Sequence, residues 1–442
     1  MRKFTFRGGV HPLHDIHEGK EATRNKEIRP FVAQMVSIPM DMHIGAPSKP
    51  IVKVGDRVLM GQLIAEPVGG IGIPVHASVS GTVKAVAERP MMKRLPSMCV
   101  DIENDGLEEW VELSPLGDVE AVDPSLIIPA VKAAGICGMG GACFPTHIKL
   151  SPPADKKVDT IILNGAECET YLTADYRLML EQPERIINGL RAVMRAMGVS
   201  RGLIGIEDNK MDAVETIKKA VAGRSGIEVC VLKTKYPQGG EKQLIQSLTG
   251  REVPSGGLPA DAGVVVLNVG TAAAIADAVI EGKPLISRVT TVTGCVKEPA
   301  NLLLRIGTSV ADAVEACGGY SEEAGKIFFG GSMTGSCVPN DTVSMTKANN
   351  GIVVFGVKDA TVADETPCIR CGRCVYACPV SLNPMALKRA WKLDKLDDME
   401  NKLHVMECVV CGACSYICPA HQQLTPVFKT VKDTIAARRA KK

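Results

Sequence analysis

Eight of the sixteen cysteines stand in two copies of one motif near the end of the chain, and this repeat constrains the fold more than any other feature. Each copy reads Cys-x2-Cys-x2-Cys-x3-Cys-Pro, the first beginning at Cys368 and the second at Cys408. Gaps of two residues wrap a tight loop around one corner of a cubane, and this run is the ligand pattern of bacterial [4Fe–4S] proteins. Zinc instead takes four ligands as two separated pairs, which fits poorly. The repeat therefore predicts a two-cluster electron relay.

The last cysteine of each motif is expected to cross over. In this ligand pattern three cysteines of a run bind one cluster and the fourth binds the other. We therefore expect Cys418 to complete the first cluster and Cys378 to complete the second. The expected ligands are Cys368, Cys371, Cys374, Cys378, Cys408, Cys411, Cys414 and Cys418.

Composition excludes several classes of protein. A net charge of +2 and an aromatic content of 4% argue against a nucleic-acid partner. The best apolar run, residues 263–280, is interrupted by Asn268 and Asp277, so we expect no membrane span. No apolar secretory segment follows the basic start. The cysteines therefore indicate metal or redox chemistry in a reducing cytoplasm rather than disulfides.

Strands alternate with helices between residues 125 and 280. VDTIILN, RGLIGIED and IEVCVLKT are typical of buried strands, and amphipathic segments such as PERIINGLRAVMRAMG separate them. This alternation predicts a parallel sheet covered by helices on both faces.

The flanking segments differ. Residues 47–88 show short β-rich runs with turn dipeptides, which predict a small barrel or sandwich. Residues 286–356 predict a small α+β unit, and KDATVADETP reads as a linker before the cysteine motifs. The basic C-terminal helix is interpreted as a solvated helix end, with contact to a partner or an anionic membrane as the alternative.

A glycine-rich loop, GICGMGGACFPTHIK, covers residues 135–149. Gly138, Gly140 and Gly141 allow the backbone to approach a phosphate or a planar ring closely. The loop follows a helix rather than a strand, so it is not a Rossmann fingerprint. A tight structural turn is the alternative.

The glycine-rich loop and four later segments resemble motifs of one protein family. GMGGACFPTHIK resembles the flavin-binding GRGGAGFPTG-x-K of the NADH-binding flavoprotein subunit of respiratory complex I. NGAECET, ADYRLM, YPQGGEKQLIQSL and NVGTAAAIA resemble later motifs of that family in the same order. From FRGGVHP to the cysteine motifs, the chain resembles the RnfC-type subunits of Rnf ion-translocating electron transport complexes.

The resemblance implies a multidomain α/β and α+β fold. Its parts would be a lipoyl-carrier-like β-sandwich without the modified lysine, a Rossmann-like FMN/NADH-binding α/β domain, a β-grasp (SLBB) domain and a C-terminal two-cluster ferredoxin-like helical domain. The expected boundaries are an N-terminal extension at 1–46, the barrel-sandwich at 47–120, the FMN/NADH-binding domain at 121–283, the SLBB domain at 284–358, the 2[4Fe–4S] domain at 359–425 and a basic helix at 426–442.

The resemblance also implies the cofactor-binding residues, with no catalytic side chain among them. A non-covalent FMN would be held by Gly138, Gly140, Gly141, Lys149 and Asn164, with Asn268 and Thr271 completing the pocket. Glu167, Glu169 and Glu241 would face the flavin or the ribose of NAD(H), and Phe144 would stack on the nicotinamide. Ala166 and Gly240 stand where the family has carboxylates.

By the same resemblance, the chain would exchange hydride with NAD at FMN and pass single electrons through its clusters. Its partners would be membrane subunits and a ferredoxin-accepting iron–sulfur subunit of an Rnf complex that couples ferredoxin:NAD electron transfer to Na+ or H+ translocation. It would lie peripherally on the cytoplasmic side of the cell membrane. Two alternatives stay open: a soluble flavoprotein reductase of the cobalamin-reductase type, and an electron carrier without nucleotide turnover.

We expect the remaining cysteines and the N-terminal histidines to be structural residues rather than ligands. Cys137, Cys143 and Cys168 are expected to be small core residues beside the pocket. The other cysteines, which we interpret as structural, are Cys99, Cys230, Cys295, Cys317 and Cys337. We interpret His11, His14 and His17 as part of a polar N-terminal extension, and metal binding is the alternative.

Overall fold

The computed structural model describes residues 3–12, 19–92 and 96–440. His14 and His17 lie outside these ranges, and His11 is exposed. Within the described ranges, no helix combines the length and the apolar character needed to cross a bilayer.

The strands are short and the helices are concentrated in two regions. In chain order the strands are β1 (Ile28–Phe31), β2 (Met35–Pro39), β3 (Lys49–Pro50), β4 (Arg57–Val58), β5 (Leu63–Glu66), β6 (Val75–His76), β7 (Gly81–Arg89), β8 (Ser97–Asn104), β9 (Thr160–Gly165), β10 (Gly202–Glu207), β11 (Ile227–Leu232), β12 (Val264–Asn268), β13 (Ser287–Gly294), β14 (Ala300–Arg305), β15 (Ala324–Phe329), β16 (Ser336–Cys337) and β17 (Gly351–Gly356). The α-helices are α1 (Glu21–Arg24), α2 (Pro124–Ala133), α3 (Thr146–Lys149), α4 (Ala174–Glu181), α5 (Pro183–Ala196), α6 (Met211–Ala220), α7 (Glu241–Thr249), α8 (Val269–Ile280), α9 (Val310–Glu315), α10 (Arg373–Ala377), α11 (Pro384–Lys392), α12 (Leu396–Asn401), α13 (Ala413–Tyr416) and α14 (Leu424–Ala440).

A four-stranded parallel sheet in the order β11-β10-β9-β12 forms the centre of the α/β unit. Successive residues of β9 point to opposite faces: Ile161 and Leu163 belong to the core with α5 and α8, whereas Ile162 packs in the core that includes α7. The predicted parallel sheet with helices on both faces is thus confirmed.

The α5–α8 pair is packed closely because both helices offer small residues. Pro183 occupies the first turn of α5, where a missing amide costs nothing. A Cβ at Gly189 would lie 1.8 Å from the carbonyl oxygen of Ala272, so only glycine allows this crossing. The crossing fixes α8, whose first turn lies at the carboxyl edge of the sheet.

Two further β units flank this sheet. The barrel-sandwich has a sheet in the order β2-β8-β7-β4 and a smaller one in the order β3-β5-β6. The β-grasp unit has six strands in the order β1-β14-β13-β17-β15-β16.

The first 46 residues, expected to form an extension, contribute to both β units and to the α/β unit. Strand β2 pairs with β8 of the barrel-sandwich, and β1 pairs in parallel with β14 of the β-grasp sheet. Phe4 forms a bridge with Leu232 of the α/β sheet. Pairing between strands so distant in sequence satisfies the backbone of the N-terminal segment, and no local pattern reveals it.

The C-terminal helical unit has its own apolar core, which includes Leu387, Phe428 and Ile435. The basic end of α14 is neutralised within the chain, because Arg438 pairs with Asp397 and Glu400. Lys441 and Lys442 lie outside the described residues.

Candidate functional site

Two asparagines mark the carboxyl edge of the parallel sheet, where ligands bind in open α/β folds. Asn164 lies near the end of β9, opposite Asn268 of β12. The Asn164 side chain donates to the carbonyl of Gly239 over 2.8 Å, and that of Asn268 accepts from the amide of Gly270 over 2.8 Å. Asn268 is therefore the N-cap of α8, and both side chains hold backbone around the edge.

The glycine-rich loop lies beside these asparagines and is held by hydrogen bonds. The amide of Gly138 donates to the carbonyl of Phe144 over 2.8 Å, and the amide of Met139 donates to Oγ1 of Thr271 over 2.9 Å. A Cβ at Gly140 would contact Asn268 at 3.4 Å, whereas Gly141, at φ +133°, has open space where a Cβ would stand. The open, side-chain-free backbone at Gly141 fits the close approach of a flat or phosphorylated ligand. The structure thus brings the three predicted glycines together with Asn268 and Thr271.

Lys149 and Glu241 lie side by side at the same edge. Nζ of Lys149 donates to Oε1 of Glu241 over 2.8 Å and to the carbonyl of Val266 over 2.8 Å. Both side chains are partly exposed, so the pair adds little stability and can exchange partners with a ligand. Glu241 opens α7, which places a helix N-terminus beside the lysine.

The carboxylate of Glu167 binds the N-terminus of helix α4. Its carboxylate accepts from the amides of Asp175 over 2.7 Å and Tyr176 over 3.1 Å, both in the first turn of α4. An anion is favourable at this end of a helix. The predicted contact of Glu167 with the flavin or the ribose stays a prediction.

Glu169 is engaged by the β-grasp unit. Its carboxylate accepts from the amides of Met333 over 3.2 Å and Thr334 over 2.9 Å. Burial raises the pKa of Glu169, and these hydrogen bonds oppose the shift. The side chain therefore ties the loop after β9 to the neighbouring unit, and its predicted contact with the flavin or the ribose stays a prediction.

Asp175 and Arg288 are two buried charged residues near the loop that sequence reasoning missed. Oδ2 of Asp175 accepts from the Asn268 amide over 2.6 Å, and Nη1 of Arg288 donates to the carbonyl of Met139 over 3.2 Å. Burial and nearby Glu167 raise the pKa of Asp175 to about 7, whereas Arg288 opposes the shift. Asp175 stands inside the quoted ADYRLM motif, which was its only signal in the sequence.

Cys137 and Cys143 are joined by a disulfide across the glycine-rich loop. Both are buried, as expected, but the expectation that the cysteines outside the motifs form no disulfide is wrong here. The turn closed by Gly138 and Phe144 brings the two Cα atoms to 5.0 Å, a separation suited to a disulfide. The sequence spacing alone does not disclose this turn.

The cysteine motifs fold into two matched loops. In the first, Arg370 and Gly372 have positive φ, and Val410 and Gly412 repeat this at the same motif positions. Left-handed residues of this kind turn backbone amides toward an enclosed anionic group.

Cysteines of both motifs line one cavity. Its lining includes Cys378 of the first motif together with Cys408, Cys411 and Cys414 of the second. Burial raises the pKa of Cys414 to about 12, with neighbouring cysteines adding to the shift. Four cysteines around one cavity are the donor set of a [4Fe–4S] cluster.

Near the first motif lies Cys418, the last cysteine of the second motif. Burial raises the pKa of Cys374, and Cys418 and Cys368 raise it further through their proximity. Cys368 and Cys371 are exposed.

The second motif packs against the α/β unit. The hydroxyl of Tyr236 donates to the carbonyl of Cys411 over 2.6 Å. The amide of Gly239 donates to Sγ of Cys168 over 3.2 Å, and both Tyr236 and Cys168 belong to a small apolar cluster with Ala413. The amide of Gly9 donates to the carbonyl of Ala377 over 2.9 Å, which adds the N-terminal segment to this junction.

Family models match four parts of the chain. They are the RnfC barrel sandwich hybrid domain over residues 4–107, the Nuo51 FMN-binding domain over 131–277, the SLBB domain over 289–336 and a 4Fe-4S dicluster domain over 360–419. These matches confirm the predicted fold class.

Curated relatives match over nearly the whole chain. The C subunit of the Na(+)-translocating ferredoxin:NAD(+) oxidoreductase complex of Acetobacterium woodii is 48% identical, over 99% of this chain and 98% of the relative. The C subunit of the proton-translocating ferredoxin:NAD(+) oxidoreductase complex of Clostridium ljungdahlii is 47% identical, over 91% and 88%. The C subunit of the ion-translocating oxidoreductase complex of Rhodobacter capsulatus is 41% identical, over 100% and 85%. The chain belongs to the RnfC family, the C subunits of ion-translocating oxidoreductase complexes.

Proposed function

We propose that this chain is the NAD(H)-reacting subunit of an ion-translocating ferredoxin:NAD+ oxidoreductase complex, peripheral to the membrane and on its cytoplasmic side. It exchanges hydride with NAD at FMN and single electrons through two [4Fe–4S] clusters. The other subunits of the complex supply the ion pathway. The support is the family, the FMN-binding and dicluster domain matches and the arrangement of the described residues.

The observation that carries the proposal is the hydrogen bond between Tyr236 and the second cysteine motif. Tyr236 begins the loop that reaches Gly239, and Gly239 accepts from Asn164 at the edge of the sheet. One short loop therefore joins the glycine-rich site to the cavity containing Cys411. Electrons move between centres over short distances, so this contact supports direct transfer between the two sites.

The residues around the glycine-rich loop act by binding and orientation. Gly138, Gly140 and Gly141 admit a ring or phosphate, while Thr271 and Asn268 hold the backbone in place. Lys149 contributes a positive charge that favours an anionic ligand. Bound FMN supplies the conversion between a two-electron hydride donor and one-electron carriers.

The two cluster sites differ in position, which suggests an order of transfer. The site of Cys378, Cys408, Cys411 and Cys414 adjoins the α/β unit. The site of the first motif has exposed Cys368 and Cys371. We infer that the second motif holds the cluster next to FMN and that the first motif exchanges electrons with the partner subunit.

An anaerobic cofactor inventory tests the proposal. The full chain, reconstituted with iron, sulfide and FMN, should carry two clusters and one flavin, and NADH should bleach the flavin band and then the cluster absorbance. A Cys408→Ser variant should still bleach the flavin but lose the fast reduction of the first cluster. A chain that binds both clusters yet never reacts with NADH would be the electron carrier of the alternative interpretation.

Association with the membrane distinguishes the proposed complex subunit from a soluble flavoprotein reductase. In the native cell, the chain should sediment with membranes at low salt and copurify with integral subunits. Recovery of the entire pool in the supernatant would favour a soluble flavoprotein reductase.

A further inference from the structure

The disulfide between Cys137 and Cys143 encloses the residues that form the glycine-rich site. Gly138, Gly140 and Gly141 all lie between the two cysteines. Disulfides are rare in reducing compartments, and those that occur there are usually transient, catalytic or redox-sensing. None of the comparisons assigns a role to this pair.

The disulfide also lies where three units meet. Cys137 and Cys143 pack with Ile73 of the barrel-sandwich and Ala348 of the β-grasp unit. The amide of Ile44 donates to the carbonyl of Cys143 over 3.2 Å. A change at the sulfur atoms is therefore transmitted to the packing on both sides of the loop.

The effect on the loop follows from its glycines. A segment with three glycines samples many backbone conformations, and restricting them on binding costs free energy. A cross-link across the segment removes many of these conformations before the ligand arrives. The cross-linked loop is thus the better preorganised form.

We propose that Cys137 and Cys143 are a reducible pair whose state sets the affinity of the glycine-rich loop for FMN, with the disulfide form binding more tightly. This inference rests on the proposed function, because it assigns a regulation to the FMN site itself.

The reductant is a dithiol, either a small molecule or a protein of the cytoplasm. One of its thiolates attacks a sulfur of the pair, the bond between Cys137 and Cys143 breaks, and a mixed disulfide forms. The second thiol of the reductant then displaces the remaining cysteine. Two hydrogens pass to Cys137 and Cys143, and the reductant ends as its own disulfide.

Burial makes the exchange sensitive to FMN. The side chains of Cys137 and Cys143 are 0% and 3% exposed, so a dithiol reaches them only when the loop opens. Bound FMN holds the loop closed and slows the reduction. The coupling is reciprocal: if the disulfide form binds FMN more tightly, bound FMN shifts the disulfide–dithiol equilibrium toward the disulfide by the same factor.

The test is an FMN titration of the full chain with its clusters in place, under anaerobic conditions, followed by flavin fluorescence. Differential alkylation and mass spectrometry report the state of Cys137 and Cys143 in each sample. We expect the dithiothreitol-treated chain to bind FMN about tenfold more weakly, within the limit set by closing so short a loop. FMN should also slow the appearance of alkylated Cys137.

Two double variants separate the disulfide from a general effect of cysteine removal. C137A/C143A should match the reduced wild type and respond no further to dithiothreitol. C230A/C317A, which removes two buried cysteines that form no disulfide, should keep the full dithiothreitol response.

The outcomes are distinct. Equal FMN affinities in the two states, or free thiols at both positions in the chain isolated without reductant, overturn the switch and leave the FMN site intact. A failure to bind FMN in either state overturns the proposed function and the switch together.

Discussion

The hydroxyl of Tyr236 donates a 2.6 Å hydrogen bond to the backbone carbonyl of Cys411, and this contact joins the α/β unit to the second cysteine motif. The ring is buried, and burial raises the pKa of Tyr236, so the hydroxyl stays a donor at physiological pH. A buried carbonyl whose donor is removed keeps its desolvation cost, so the contact is sensitive to substitution.

Tyr236→Phe should weaken this junction. The variant leaves the Cys411 carbonyl without its donor, so we expect a loss of about 1–2 kcal/mol in the free energy that holds the two units together. Stopped-flow absorbance should show unchanged bleaching of the flavin by NADH and slower reduction of the clusters. Tyr320→Phe, which removes a tyrosine hydrogen bond to Asp341 in the β-grasp unit, is the matched control and should leave both phases unchanged. Equal cluster reduction rates in Y236F and wild type would show that the Tyr236 hydrogen bond does not support electron transfer between the two units.

Cys418→Ser should damage the cluster of the first motif. Because Cys418 lies close to Cys374, we expect this variant to lose about half of its iron, with the spectroscopic signal of the cluster at Cys408, Cys411 and Cys414 retained. Iron analysis and electron paramagnetic resonance measure the two effects. Cys337→Ser, at an exposed cysteine outside the motifs, is the control. Loss of the second-motif signal alone would show that the pairing is not crossed.

Thr271→Val should weaken FMN binding. The variant keeps the shape of the side chain but removes the acceptor for the Met139 amide, one of the hydrogen bonds that hold the glycine-rich loop. A lost hydrogen bond of about 1 kcal/mol corresponds to a roughly fivefold weaker affinity. Thr271→Ser retains the hydroxyl and should bind FMN as the wild type does. An FMN titration in which T271V and T271S behave alike would contradict the assignment.

Stability should rise with pH above neutrality because of Lys347. Burial lowers the pKa of Lys347 from 10.5 to about 7 in the folded chain. Below pH 7 both states hold the proton, and between pH 7 and the unfolded pKa only the unfolded chain holds it. The free energy of unfolding therefore increases with pH in this window, by up to about 1.4 kcal/mol per unit.

Lys347→Met isolates this effect. The difference in thermal midpoint between wild type and K347M should change by several degrees between pH 7 and pH 9, in favour of the wild type. His76 titrates elsewhere, since burial lowers its pKa to about 3. Lys326→Met, at a partly exposed lysine, should show no such change. Parallel pH profiles for K347M and wild type would mean that Lys347 stays charged in the folded chain.

The parts of the site that form a local pattern could be predicted from the sequence. The cysteine spacing indicates the ligands because each loop is built from consecutive residues. The glycines of 138–141 and the cap at Asn268 belong to short motifs, and the alternation of β9, α5 and β10 follows from local hydrophobic periodicity.

The tertiary structure decided which residues that are distant in the sequence come into contact. The sequence contains Tyr236 and Asp175, but their partners Cys411 and Asn268 are set by the packing of separate segments. Strand β2 is too short for its own pattern to identify β8 as its partner. The sequence by itself thus determined the family, the cofactors and the order of the units, because these depend on residue types at fixed spacing. Only the fold decided which cysteine motif packs against the α/β unit, because this depends on burial and contact between segments far apart in the chain.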